Sequence, residues 1–165
     1  KFIPGEEYGN QKYNYVLLNP SKIELRVQTY GTVFEGDQGK FGTKKVTEFY
    51  AKLKETKNNL IMVVNGGYYA KGSNKPQGLL IEDEKVLNNV DEGASSAKDG
   101  VLIVTGSGIE ILKDEEYKAK YPNNEGVKQG IQGHLLFDLN KDYHAKGSSY
   151  CGYSAKRNII GVNCK

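Results

Sequence analysis

The stretch Val63-Val64-Asn65-Gly66-Gly67-Tyr68-Tyr69 constrains this chain more than any other. It closes an apolar run over residues 60–64 that is short and β-branched, which predicts a buried strand rather than a helix. The strand must stop at Asn-Gly-Gly. Two consecutive glycines permit positive φ and leave backbone N–H groups uncovered, so an anionic ligand can approach them closely. Asn65 brings a donor and an acceptor to the same spot. Asn-Gly is also a common tight hairpin turn, so a simple turn stands beside the ligand-binding reading.

A chain of 165 residues is of one-domain length and can bury a sizeable core. Twenty glycines and twelve tyrosines without a tryptophan point to many turns and to β-rich structure with polar-tipped aromatics on its surfaces. The net charge of +3 arises from nearly balanced, dispersed charges, which argues against a nucleic-acid partner. No apolar run approaches the roughly 20 residues a membrane span requires. The chain begins at Lys1 without methionine, as a processed secreted protein or a trimmed one does, and a secreted or extracytoplasmic setting is expected. Cys151 and Cys164 are the only cysteines and form a disulfide candidate, worth roughly 3 kcal/mol if closed. Two buried thiols, or joint metal binding with His134 or His144, are the alternatives.

Residues 1–14 read as a polar N-terminal arm, and residues 15–165 as a single domain. Within it, 15–18 and 23–27 flank Asn19-Pro20-Ser21 and predict an opening hairpin. The glycines and lysine of 36–43 have a phosphate-loop flavour, but only Asp37 and Gln38 separate Gly36 from Gly39, so nucleotide binding is not expected. Thr43 is placed to cap a helix over about 43–57, with Val46, Phe49, Tyr50 and Leu53 at helical spacing and packed on the sheet. Hairpins follow around 82–85 and 105–108, then a short helical turn over 114–120. A strand over 131–137 carries Gln132 and His134 on one face. Residues 138–142 mimic the start of a calcium loop, yet Tyr143 and Ser149 stand where such a loop needs glycine and glutamate; calcium is only weakly supported, and no cofactor is expected. The acidic residues Glu82, Asp83, Asp99 and Asp138 sit in turn-like contexts and read as solvated surface. The expected fold class is α+β, a largely antiparallel or mixed sheet with one principal helix.

The order of these features resembles the phosphodiester glycosidase family. The resemblance rests on Asn65-Gly66-Gly67-Tyr68-Tyr69, on Pro76-Gln77-Gly78-Leu79, on Arg157 with Gly161, and more weakly on Ile131-Gln132-Gly133. His134 stands where the family usually has proline. The family continues with a Gly-x-Ser helix and an Asp-Gly-Gly turn, so relative to it this chain is C-terminally truncated, and a second chain or fragment that completes the fold is an expected partner. The resemblance implies hydrolysis of sugar 1-phosphodiester bonds, with a sugar phosphodiester or glycan as ligand. It implies Asn65, Arg157 and Gln132 as catalytic residues and Gly66, Gly67, Tyr68, Tyr69, Gly78 and His134 as substrate-binding ones. Arg157 would clamp phosphate, since a guanidinium holds two oxygens at once. A non-catalytic carbohydrate- or phosphate-binding module, or a protein-interaction module, is the competing expectation, with Tyr143, Tyr150 and Tyr153 as further stacking surfaces.

Overall fold

In a computed structural model of the chain, the described residues are 16–70, 72–90, 92–93, 100–133 and 160, together with the backbone of short strands near the N-terminus. Four strands of two residues open the chain: β1 (Phe2–Ile3), β2 (Glu7–Tyr8), β3 (Gln11–Lys12) and β4 (Tyr15–Val16). β1 pairs with β4 and β2 with β3, all antiparallel. Tyr15 and Val16 therefore pair with the arm, and the opening hairpin with 23–27 does not form. The turn itself is as expected. Asn19 accepts hydrogen bonds from the Ser21 amide (3.0 Å) and hydroxyl (2.7 Å) and caps a 3-10 turn, Pro20–Lys22.

Beyond that turn, residues 23–27 alternate between half-buried and exposed, as a strand pattern demands, but they join no ladder. At the end of this stretch and just past it, the amides of Val27 and Thr29 are satisfied by side chains instead. The Val27 N–H donates to Gln129 Oε1 at 3.0 Å, and the Thr29 N–H to Glu82 Oε1 at 3.1 Å. A π-helix, Gly31–Glu35, follows and ends at Gly36 in the left-handed region, φ 68°. Helix α1 (Val46–Lys54) is shorter than the predicted 43–57 because it is capped differently. Thr43 is not the cap; the Lys45 N–H donates to Glu48 Oε2 at 2.8 Å, so the first turn starts at Val46. Phe49 stands edge-on to Phe34 at 5.0 Å, which seats α1 on the π-helix.

The remaining elements are β5 (Tyr68–Tyr69), β6 (Pro76–Gln77), β7 (Leu80–Glu82), β8 (Lys85–Asn88), β9 (Gly100–Thr105), β10 (Gly108–Lys113), α2 (Asp114–Lys120) and β11 (Val127–Gly133). Five of them form one antiparallel sheet in the order β10-β9-β11-β7-β8. The fold class is thus α+β with antiparallel pairing. The β7–β8 turn places Asp83 (φ 48°) and Glu84 (φ 66°) in the left-handed region, the geometry that matches strand twist in two-residue hairpins. The Glu84 N–H reaches across to the Lys128 carbonyl at 2.8 Å and holds the turn against β11.

The sheet has two unlike faces. On one, Ile81, Val101 and Ile103 are fully buried with Leu79, Val127 and Tyr117, the last contributed by α2. α2, which packs on β9 and β10, is therefore the helix that seals this core. Gly130 lies opposite both Ile81 and Ile103, and a Cβ there would come within 3.1 Å of Leu79 Cδ2. On the other face Leu80, Ile131 and Leu102 form a cross-strand row that is only half-buried.

The 60–64 run is not a buried strand. Among the described residues no strand pairs with it, and Ile61 is 64% exposed. Burial of such a run needs a ladder on its edges and packing on both faces. Among the described residues, no helix is long and apolar enough to cross a membrane.

Candidate functional site

The Asn65-Gly66-Gly67 segment lies against β11, and its glycines are required for a reason other than the expected one. Neither has positive φ. A Cβ on Gly66 would sit 2.5 Å from Ile131 Cδ1, and one on Gly67 would sit 3.0 Å from Ile131 Cγ1 and 3.4 Å from the Gln132 carbonyl oxygen. The residues are small because a strand passes beneath them. Immediately afterwards Tyr68 pairs with Gln77 and Tyr69 with Pro76, which brings the second glycine motif alongside the first.

Gly78 is the joint between these motifs and the third. Its φ of 79° is left-handed, and a Cβ would come within 2.4 Å of Gln132 Oε1. Over this glycine the Gln132 amide turns inward. Its Oε1 accepts the Leu79 N–H at 2.9 Å, while the Gln132 N–H donates to the Leu79 carbonyl at 3.0 Å. Gln132 is 1% exposed, so its side-chain carbonyl positions the Gly78–Leu79 backbone. The Gly78 backbone is held on its far side too, donating to the Glu92 carbonyl at 2.8 Å and accepting from Asn88 Nδ2 at 2.9 Å.

These motifs border a cleft of about 240 Å³. Leu80, Ile131 and Leu102 form its floor with Val104 and Gln129, on the face of the sheet opposite the core. One side is supplied by Val64, Gly66, Gly67, Tyr68 and Tyr69 together with Asn74, Pro76 and Gln77. The other comes from residues 25–30 with Phe41 and Gly42. Asn65 is exposed between Val64 and Gly66, both of which line the cleft. His134, Arg157, Cys151 and Cys164 lie outside the described residues, as do Asp99, Asp138, His144 and the calcium-like segment 138–142.

Among the described lining residues Arg26 is the only cation, and none is acidic. The Arg26 Nε and Nη2 atoms both approach Glu24 Oε1, at 2.8 and 2.7 Å, and Nη1 stands 3.9 Å from Asp83. The hydrogen bond to Glu24 raises the guanidinium pKa further and lowers that of Glu24.

Glu82 was expected on the surface and is instead 0% exposed. Its Oε1 accepts the Thr29 N–H (3.1 Å) and Gln28 Nε2 (3.2 Å), and its Oε2 accepts the hydroxyls of Thr29 (2.8 Å) and Thr32 (2.6 Å). A buried carboxylate needs such donors to offset lost hydration. Together with Gln129, whose Nε2 donates to Asp83 Oδ1 at 2.6 Å, it stitches segment 27–32 to the sheet. The 36–43 loop does not cradle an anion through its amides at Gly39 and Lys40. Both donate to Asp37, at 2.9 and 3.1 Å. No cluster of three or more His, Cys, Asp or Glu side chains suited to a metal occurs among the described residues.

The motifs that meet at β11 fall within one family match. A family model described as phosphodiester glycosidase matches residues 58–165. The chain belongs to the phosphodiester glycosidase family. Among curated proteins it is 28% identical over 101 residues to a tetraacyldisaccharide 4'-kinase from Halothermothrix orenii, a match that covers 58% of this chain and 25% of the kinase. The chain thus spans about a quarter of the length of that relative. No solved structure matches it. The family match begins at residue 58, so the cleft side formed by 25–42 lies outside it.

Proposed function

We propose that this phosphodiester glycosidase cleaves sugar 1-phosphodiester bonds of secreted or cell-surface glycans at the cleft described above. The observation that carries this reading is that Gly66, Gly67 and Ile131 line one cleft with Gln77 and Leu79, the neighbours of Gly78, while the buried Gln132 braces the Gly78 corner behind it. In the reaction, water oxygen bonds to the anomeric carbon and the carbon–oxygen bond to phosphate breaks, its electron pair staying on the phosphate oxygen; the phosphate departs as a monoester, and the proton lost by the water passes to that monoester or to solvent. Asn65 orients sugar hydroxyls or phosphate oxygens, and the Gly66 and Gly67 amides supply further donors. Arg157 clamps the phosphate. Tyr68 and Tyr69 face the sugar, His134 contributes to binding, and Gln132 fixes the Gly78 corner on which the site is built. A second chain or segment supplies the acid, and the Cys151–Cys164 bridge belongs to the extracytoplasmic setting.

A second reading is a binding module without turnover. It is favoured by the lack of an acidic side chain among the described residues lining the cleft, since glycoside hydrolysis ordinarily uses two carboxyl groups. Asn65→Ala and Arg157→Ala separate the two. Loss of hydrolysis of N-acetylglucosamine 1-phosphate methyl ester supports the enzyme. Absence of turnover in the wild type, with ligand affinity lost in both variants, supports the binder.

A further inference from the structure

We infer that Gln28 is a ligand-binding residue of the cleft and that Glu82 is its positioning residue. The buried carboxylate turns the Gln28 amide so that its carbonyl oxygen is the atom offered to a hydroxyl or N–H donor of the ligand. Recognition of a ligand here rests on the proposed function, whereas the orientation of the amide rests on geometry alone.

Gln28 is half-buried in the cleft lining, between Val27 and Thr29. Its Nε2 stands 3.0 Å from the Val27 carbonyl oxygen and 3.2 Å from Glu82 Oε1. Both neighbours are acceptors: a backbone carbonyl can only accept, and Glu82 Oε1 already takes the Thr29 N–H at 3.1 Å. An amide oxygen in that place would face two oxygens with no proton between them, so the network itself decides which end of the amide is nitrogen. An NH2 group has two hydrogens, and these two acceptors use both. The carbonyl oxygen is what remains, and among the described residues it accepts no hydrogen bond.

Glu82 can hold this orientation because it is itself held. It is 0% exposed, its Oε2 accepts the hydroxyls of Thr29 (2.8 Å) and Thr32 (2.6 Å), and its main-chain carbonyl accepts from Gln38 Nε2 at 3.4 Å. The second acceptor is fixed as well. The Val27 N–H is bound to Gln129 Oε1 at 3.0 Å, and Gln129 Nε2 to Asp83 Oδ1 at 2.6 Å. An acceptor prepared in this way loses little conformational entropy on binding. It also discriminates, since a donor on the ligand meets a partner there while a phosphate oxygen meets another oxygen. Gln28 thereby turns the phosphate away from this spot and admits a hydroxyl or N–H group.

Two measurements on the full chain test this. In the first, NMR follows solvent exchange of the Gln28 side-chain amide protons in the wild type, Glu82→Met and Thr32→Val. Both protons are expected to exchange slowly in the wild type and in Thr32→Val, which keeps Glu82 Oε1, and to exchange fast in Glu82→Met. Exchange in the wild type as fast as that of a solvent-exposed glutamine overturns the orientation. In the second, calorimetry measures binding of N-acetylglucosamine 1-phosphate methyl ester. Gln28→Met and Glu82→Met are each expected to lose about three- to tenfold in affinity, the worth of one hydrogen bond, while Thr32→Val stays within about twofold although its urea midpoint falls. The double variant should lose no more than Gln28→Met alone; additive losses overturn the claim that Glu82 acts through Gln28. Full affinity in Gln28→Met overturns the ligand role. A wild type that does not bind the ester overturns the proposed function together with that role, and the exchange rates still decide the orientation. Should Glu82→Met fail to fold, the wild-type exchange and the affinity of Gln28→Met decide between the same outcomes.

Discussion

Gly78→Ala is expected to destabilise the fold by far more than a left-handed glycine ordinarily costs. At φ 79° an alanine pays about 1 kcal/mol for its backbone conformation alone. Its Cβ would then lie 2.4 Å from Gln132 Oε1 and 2.9 Å from Gln132 Cβ and Cδ. The clash is with a side chain that is 1% exposed and cannot swing into solvent, so overpacking adds roughly 1–3 kcal/mol. Displacement of that amide also strips the Leu79 N–H of its partner, at a further 1 kcal/mol or so. The sum is about 3–5 kcal/mol, a large share of the 5–15 kcal/mol of a typical domain. Gly126→Ala isolates the backbone cost, because Gly126 has a similar φ of 75° and nothing within 4 Å of its Cβ; it is expected to lose only about 1 kcal/mol. Urea unfolding followed by circular dichroism measures both, with the m-value as the check that only stability has changed. In a Gln132→Ala background the obstacle is gone, and Gly78→Ala should fall to about 1 kcal/mol, a coupling of about 2 kcal/mol or more. Equal losses for Gly78→Ala and Gly126→Ala, or no coupling to Gln132, would refute the argument that Gln132 is packed over this glycine.

Glu82→Gln keeps the size of the side chain but replaces an acceptor oxygen by an NH2 group that faces Thr29, Thr32 or Gln28; a loss of about 2–3 kcal/mol is expected by thermal or urea unfolding, and a change below about 0.5 kcal/mol would remove Glu82 from the list of fold-determining residues. Tyr117 supplies an alkaline limit. Burial pushes its phenol up to about 12, so the folded state holds a proton that an unfolded tyrosine releases near pH 10. The stabilisation is complete below about pH 10 and is lost as pH rises towards 12, by up to about 2–3 kcal/mol. Tyr117→Phe should flatten that part of the stability curve, and an unchanged curve would mean that Tyr117 does not cause it.

The readable parts of this sequence were those in which local chemistry decides the structure alone. Val104 and Ile109 face each other across Gly106 and Ser107 as the alternating pattern requires, because a short hairpin leaves few other registers. β11 was harder to place: it begins at Val127 rather than Ile131, since Lys128 and Gln129 break the apolar pattern and the register shifts between Val127 and Gln129. The stitching of segment 27–32 was illegible for a related reason. Strand-like alternation at 23–27 predicts a backbone ladder, whereas the Val27 and Thr29 amides are taken by the side chains of Gln129 and Glu82, about a hundred and about fifty residues away. No local pattern distinguishes a glutamate that will be buried by four donors from one that will face water.

The glycine motifs were legible as a group, yet their physical basis was not. Asn-Gly-Gly suggested positive φ, while Gly66 and Gly67 instead make room for Ile131; Gly78 alone combines positive φ with close approach. That difference changes what the motifs contribute to a site. Glycines chosen for φ would make a turn that stands without a partner, but glycines chosen for contact fix the position of Asn65 only if β11 is in register beneath them. One ladder pairing, Ile131 with Leu80 and Leu102, therefore sets both the cleft floor and the seat of the Asn-Gly-Gly corner. A slip of one residue in β11 would turn Gln132 out of the Gly78 corner and Ile131 into the core face, and would dismantle the site without touching any residue of 65–67.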